Sequence, residues 1–341
     1  MSLQAALSGA GVRHDGFGSR YSADDVQFGR IDVLELTSAL GTPAAEQAIR
    51  AAAARQGEAA TAHVARVIRI ARTGQTLSLA SVAAPGVALG DLLAALEFDT
   101  VALDDVAMLG MAGATAAALA ALHRQPGAPA HGALSPSHVF LQRDGTVVLT
   151  GAVFGDALQA LQWNRDQLWR VFAVAMPPSA SLPRFDQRSD VTQLGALVLA
   201  MLLRRTLAAP EYPKQTLDLI DSATENMAIS ARCRTALRLW LQQTLQLQPK
   251  SLFATAADAS RAFADVVADM QGRQPALAQL QHALHIVSGE PAPEPPHRAA
   301  AVAGPVVPPG PVAAPVPTAP AAAALRGLPF LRSVFPALGA N

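Results

Sequence analysis

"HGALSPSHVFLQRDGTVVLTGAVFG" runs from His131 to Gly155 and contains three pieces of local structure. Gly132 and Pro136 interrupt any regular element, so His131–His138 reads as a loop. In "HVFLQRDGTVVLT", Asp144-Gly145 between two short apolar runs is the signature of a tight hairpin. Gly151 and Gly155 then bracket a turn. The stretch is poor in reactive groups: two histidines, and one carboxylate at the hairpin tip.

The same economy of charge extends over the chain. Of 341 residues, 51% are hydrophobic and 15% charged, so a sizeable core is expected. The 26 basic and 26 acidic residues balance, which gives no reason to expect nucleic acid or an anionic membrane as partner. Lys214 and Lys250 are the only lysines, and the excess of Arg and Ala points to a GC-rich bacterial genome. Cys233 is the only cysteine, so an intrachain disulfide and a cysteine zinc site are excluded, and a cytoplasmic location fits. "MSLQAALSGAGVRHDG" is a poor signal peptide. The apolar windows Val106–Leu122 and Leu194–Leu203 read as buried helices, the first being rich in Ala and Gly and the second too short to span a bilayer.

Upstream of the opening stretch, Gly11 to Leu36 contains the alternating runs "SRYSA" and "RIDVLEL", read as short strands. Thr42-Pro43 opens a helix, with Thr42 as cap and Pro43 at the first helical position. "HVARVIRIARTGQTLSLASVA" predicts two strands around a Thr-Gly turn. After Pro85-Gly86 the pattern is helical to about Met270, apart from the hairpin at Asp144-Gly145. The fold class expected is α+β: a small strand-rich lobe, 1–83, then a larger helical lobe, 84–272. A terminal helix follows at 273–288, then a Pro/Ala-rich linker at 289–325 and a short apolar tail at 326–341. The linker composition predicts an extended, polyproline-like segment, and "LPFLRSVF" in the tail offers a short docking motif.

From Gly11 to about Met270 the chain resembles the eukaryotic-type Ser/Thr protein kinases of bacteria. The family's catalytic loop, H-R-D-L-K-P-x-N, is matched by His131-Gly-Ala-Leu-Ser-Pro-Ser-His138. The family's D-F-G turn lies eighteen residues beyond the loop aspartate, and the same count from Ala133 lands on Gly151-Ala152-Val153. "SDVTQLGALVLAMLL" is similar to the family's buried central helix, and "LSLASVAAPGVALGDLL" to the hinge and the helix after it. "GFGSRYSADDVQFGRIDVLEL" resembles the Gly-rich loop and the two strands beyond it. The resemblance implies a bilobal kinase-like fold.

It also implies where the chemistry should be. Phosphoryl transfer needs cations on the phosphates, a carboxylate on the metal and another to orient the hydroxyl. By direct counting, the phosphate-gripping lysine falls on Glu35 and the helical glutamate that would pair with it on Ala52, with Glu46 and Glu58 near only in a shifted register. Arg13 and Asp15 occupy two glycine positions of the phosphate loop, while Gly16 and Gly18 remain. The hydroxyl-orienting aspartate falls on Ala133, the loop lysine on Ser135, the second metal ligand on His138 and the principal metal carboxylate on Gly151. A-P-E is matched by Met176-Pro177-Pro178, and its arginine partner by Leu252, so both charges of that buried pair are absent together. Asp190, which in the family holds the catalytic-loop backbone, is kept.

These substitutions imply a catalytically inactive kinase homologue, a pseudokinase acting as a protein-binding or scaffolding module in signalling. No catalytic, cofactor-binding or metal-binding residue is assigned, no cofactor is expected, and ATP with magnesium should bind weakly or not at all. The alternative is a nucleotide-binding enzyme with atypical chemistry, a weak Ser/Thr kinase or an AMP transferase, drawing metal ligands from Asp15, Asp24, Asp25, Glu35 and Asp156. His282 and His285 lie three apart on a predicted helix and read as a surface pair rather than metal ligands. Trp163, Trp169 and Phe172 are expected to fold the activation segment onto its own lobe.

Overall fold

In the computed structural model, residues 11–58, 62–125, 130–179, 181–248, 252–268 and 277–289 are described. The Pro/Ala-rich stretch, the apolar tail, the N-terminal ten residues and Pro249–Ser251 lie outside them. The fold is α+β and bilobal, strand-rich first and helical after.

Five strands make the smaller lobe: β1 (Arg13–Asp15), β2 (Gly18–Asp25), β3 (Gly29–Leu36), β4 (Val67–Thr73) and β5 (Thr76–Val82). They form one antiparallel sheet in the order β1-β2-β3-β5-β4. Alternation sends Leu34 and Leu36 of β3, with Leu77 and Leu79 of β5, to a single face. Helix α1 (Pro43–Glu58) covers that face with Ala45, Ile49 and Ala52, spaced four and three apart so that they share one stripe. It starts where Thr42 and Pro43 predict: the Thr42 hydroxyl accepts the Ala45 N–H at 3.2 Å.

The larger lobe is built on α3 (Asp105–His123) and α6 (Gln187–Leu203). Both are buried nearly all round, as their apolar sequences predict, and the small residues of α3 let neighbouring helices approach closely. Among the described residues α3 is the one helix long and apolar enough to cross a membrane, and 67% of its apolar window is buried in the protein interior. Around this pair stand α2 (Leu89–Glu97), α7 (Thr216–Glu225), α8 (Ala231–Thr244), α9 (Ala256–Ala268) and α10 (Leu277–Ser288). Trp240 of α8 is fully buried and donates its indole N–H to the carbonyl of Ala259 at 2.8 Å.

The opening stretch folds between the lobes. Strands β7 (Val139–Leu141) and β8 (Val147–Leu149) form the expected hairpin, and Asp144 holds its tip by accepting from the Thr146 N–H at 2.9 Å. A two-residue strand, β6 (Val87–Ala88), joins them in the order β6-β7-β8. The segment after α1 is pinned to this hairpin by the Leu149 N–H on the His63 carbonyl at 2.8 Å. Beyond the Gly151 turn come α4 (Gly155–Ala160) and α5 (Arg165–Phe172).

Candidate functional site

The loop His131–His138 is held from below by two side chains of α6. Asp190, 0% exposed, accepts the N–H of His131 at 2.6 Å and of Gly132 at 2.7 Å, and meets His123 Nε2 at 2.7 Å. The structural role expected for this carboxylate is the one it has. One helical turn later, Gln193 accepts the N–H of Leu134 at 2.7 Å and donates to the carbonyl of Gly132 at 3.3 Å. Gln193 went unnoticed in the sequence. The available signal was its i, i+3 spacing from Asp190, which puts both on one face.

Above the loop hangs the turn from Asp15 to Gly18. Its backbone N–H groups are those that would cradle a phosphate in a Gly-rich loop. In this chain the Asp15 carboxylate accepts from Phe17 N–H at 2.8 Å and Gly18 N–H at 3.2 Å. The chain supplies its own anion. Arg13, the other residue at a glycine position, reaches across to Asp91 of α2 at 2.7 Å.

Phe17 points from this turn into the gap between the lobes and is 1% exposed. Its ring lies 4.5 Å from that of His138, 5.0 Å from Phe154 and 4.9 Å from Phe172. A single apolar cluster therefore crosses the cleft, joining Phe17, Leu34, Leu36 and Ala52 above to Ala133, Val153 and Phe154 below. Ala133 and His138, the two loop residues that the resemblance matched to proton-accepting and metal-binding groups, are both 0% exposed.

The structure corrects the position assigned to Glu35. Leu34 and Leu36 face the cleft cluster, so Glu35 between them lies on the opposite face of the sheet, half-buried, with its carboxylate accepting from the Tyr21 hydroxyl at 3.4 Å. A shift of one residue flips every side chain of a strand, and direct counting missed the face by that one residue. The inward residues nearest the expected lysine are leucines. Arg20, paired in register with Leu34, turns inward on β2, and its guanidinium has Asp15 at 3.9 Å. Ala52 is buried where counting placed it, and Glu46 instead binds Arg50 and Arg72 on the surface.

The acids considered as alternative metal ligands are scattered. Asp15 is occupied by its own turn, Asp24 is exposed, and Asp25 caps the β2–β3 hairpin through the N–H groups of Gln27 and Phe28. Asp156 binds Arg55 of α1 at 2.6 Å. His282 is exposed and His285 half-buried on α10. Among the described residues, no three His, Cys, Asp or Glu side chains are grouped to hold a metal.

Gly151, on which the resemblance to kinases would place the principal metal carboxylate, is tightly packed. Its φ is +76°, and a Cβ there would lie 2.9 Å from the His138 ring. His138 Nδ1 meets the Ala133 carbonyl at 2.8 Å, so that nitrogen carries the hydrogen, since a carbonyl only accepts. Burial pushes the His138 imidazole well below its usual range, and Arg20 and His131 push the same way. Burial also lowers His131, from 6.5 to about 4, against the opposing pull of Asp190. The unfolded chain therefore takes up these protons first, and stability must fall as pH drops from about 6.5 towards 4. His131 should contribute at most about 1.4 kcal/mol per pH unit in that window, and His138 acts in the same direction. Melting temperatures from pH 7 to 4.5 check this: His131→Gln should flatten the decline, and an unchanged slope would contradict the assignment.

The segment from Gly151 to Pro178 contains no Ser, Thr or Tyr, so it has no hydroxyl to phosphorylate. It is packed instead. Trp169 is buried against Tyr212 at 4.8 Å and donates its N–H to the Ala209 carbonyl at 3.1 Å. Phe172 is buried and Trp163, half-buried, stacks on it at 5.5 Å. The Met176 carbonyl, in the stretch that the resemblance matched to A-P-E, accepts the Tyr212 hydroxyl at 2.8 Å. Leu252 is half-buried, and the residues just before it lie outside those described.

This backbone matches the kinase domain of PknI from Mycobacterium tuberculosis with a TM-score of 0.51, over 78% of this chain and all of that domain. The chain has a protein-kinase fold. At 15% identity the likeness concerns the fold alone. No family model and no curated protein matches the sequence.

Proposed function

We propose that this chain is a catalytically inactive protein kinase homologue that works through protein binding. The observation that carries the reading is the filled cleft. Phe17, His138, Phe154 and Leu36 occupy the space between the loop and the sheet, and Asp15 occupies the N–H groups of the turn. A nucleotide would have to displace a packed aromatic side chain and a carboxylate. It would find no inward lysine and no carboxylate at Ala133 or Gly151 to orient a metal or a hydroxyl.

The loop itself is fully supported, by Asp190 and Gln193, although it holds no general base. A scaffold kept in order without chemistry offers its surface, and a protein partner in signalling is the use that fits. Incubation of the purified chain with labelled ATP, magnesium or manganese and generic protein substrates tests the inactive state. No label should transfer to substrate or to the chain itself. Metal-dependent autophosphorylation of the purified chain would overturn the proposal.

A further inference from the structure

We propose that the Asp15–Gly18 turn is a latch that couples the smaller lobe to α5, so that these two segments open and close as one unit. The contact is backbone to backbone. A Cβ on Gly16 would lie 1.8 Å from the carbonyl oxygen of Val171, so only glycine admits this approach. Next to it, Phe17 covers Phe172, which in turn stacks on Trp163. Asp15 fixes the shape of the turn through its two N–H acceptances, and the Thr37 N–H fixes its far side on the Phe17 carbonyl at 2.9 Å. Gly16, which resembles a remnant of phosphate binding, thereby has a packing role.

Helix α5 has eight residues. A helix of that length is unstable alone in water, and its order depends on the surface beneath its apolar face. Phe17 supplies part of that surface for Phe172, and the Leu168 and Phe172 side chains belong to the same cluster as Leu34 and Leu36 of the sheet. Extraction of Phe17 would remove the part of the floor of α5 that lies under Phe172, and unravelling of α5 would expose Phe17. The two segments lie some 150 residues apart in sequence, yet neither is expected to be stable without the other. A ligand that prefers the latched or the unlatched form would shift both at once. This coupling goes beyond the proposed function and holds whether or not a nucleotide binds.

Native-state hydrogen exchange on the full chain tests it. In low urea, the amides of residues 16–19 and 168–173 should share one isotherm, with a midpoint below that of α6 and α8. Phe17→Leu should speed exchange in both segments by the same factor, on the order of tenfold, while α6 and α8 are unchanged. Phe172→Leu should do the same in reverse. Both variants keep an apolar side chain, and the wild-type isotherms decide the matter if either fails to fold. Separate isotherms for the two segments, or release of both only with global unfolding, would overturn the latch. Loosening of the turn in Phe17→Leu with α5 still protected would overturn it too.

Discussion

Asp190→Ala should lower the melting temperature by roughly 10 °C, the largest loss expected from any single truncation in the cleft region. The carboxylate is fully buried and serves three groups at once: the His131 and Gly132 N–H donors and the His123 ring. Its removal strands two backbone donors and an imidazole in a site closed to water. Each stranded donor costs about 1–3 kcal/mol, and the loss of a charged partner adds to that. Ser135→Ala is the control. Ser135 is also buried, but its hydroxyl meets only the Ser137 hydroxyl at 3.1 Å and His138 Nδ1 at 3.2 Å, and that nitrogen already has the Ala133 carbonyl. Its loss should cost about 1 kcal/mol or less. Thermal melts of the two variants side by side check this, and equal losses would refute the role assigned to Asp190.

Gly151→Asp, which writes back the missing metal carboxylate, should destabilise the fold by several kcal/mol and restore no activity. The backbone at Gly151 is left-handed, which costs a non-glycine residue about 1–2 kcal/mol. The new Cβ would meet the His138 ring at 2.9 Å, and that ring is wedged under Phe17. Displacing it adds about 1–3 kcal/mol in a close-packed cluster. The carboxylate would also enter an apolar space with no metal partner prepared. A melt of this variant, followed by addition of ATP and magnesium, measures both effects. A Gly151→Asp protein as stable as its parent, and further stabilised by magnesium with ATP, would show an open site and contradict the close packing of Gly151 against His138.

Much of the fold was legible because its signals are local. The Thr42 cap, the Thr-Gly and Asp-Gly turns and the apolar runs of α3 and α6 each report nearest-neighbour physics, and each element lies where those signals put it. The sequence also supports an expectation at Ala133, His138 and Gly151, residue types without the chemistry that the kinase resemblance requires there. What filled the space between the loop and the sheet was not legible. Phe17 is one aromatic in a glycine-dotted stretch, and only the tertiary fold sets it against His138, Phe154 and Phe172. Glu35 failed for a related reason. Residue counting carries an error of one, and in a strand one residue exchanges inside for outside. Asp15 reads in the sequence only as a residue at a glycine position, whereas its carboxylate accepts the N–H groups of Phe17 and Gly18.

The filled cleft is tested most directly by the thermal stability of the purified chain as ATP and magnesium are titrated in. A ligand that binds the folded state alone at a hundred times its dissociation constant adds about 2.7 kcal/mol of stability. With Phe17 in place and Asp15 on the turn, no saturable rise in melting temperature is expected up to millimolar ATP. A saturable rise at sub-millimolar ATP that depends on magnesium would mean that the cleft opens to nucleotide, and would contradict a cleft closed by Phe17 and Asp15.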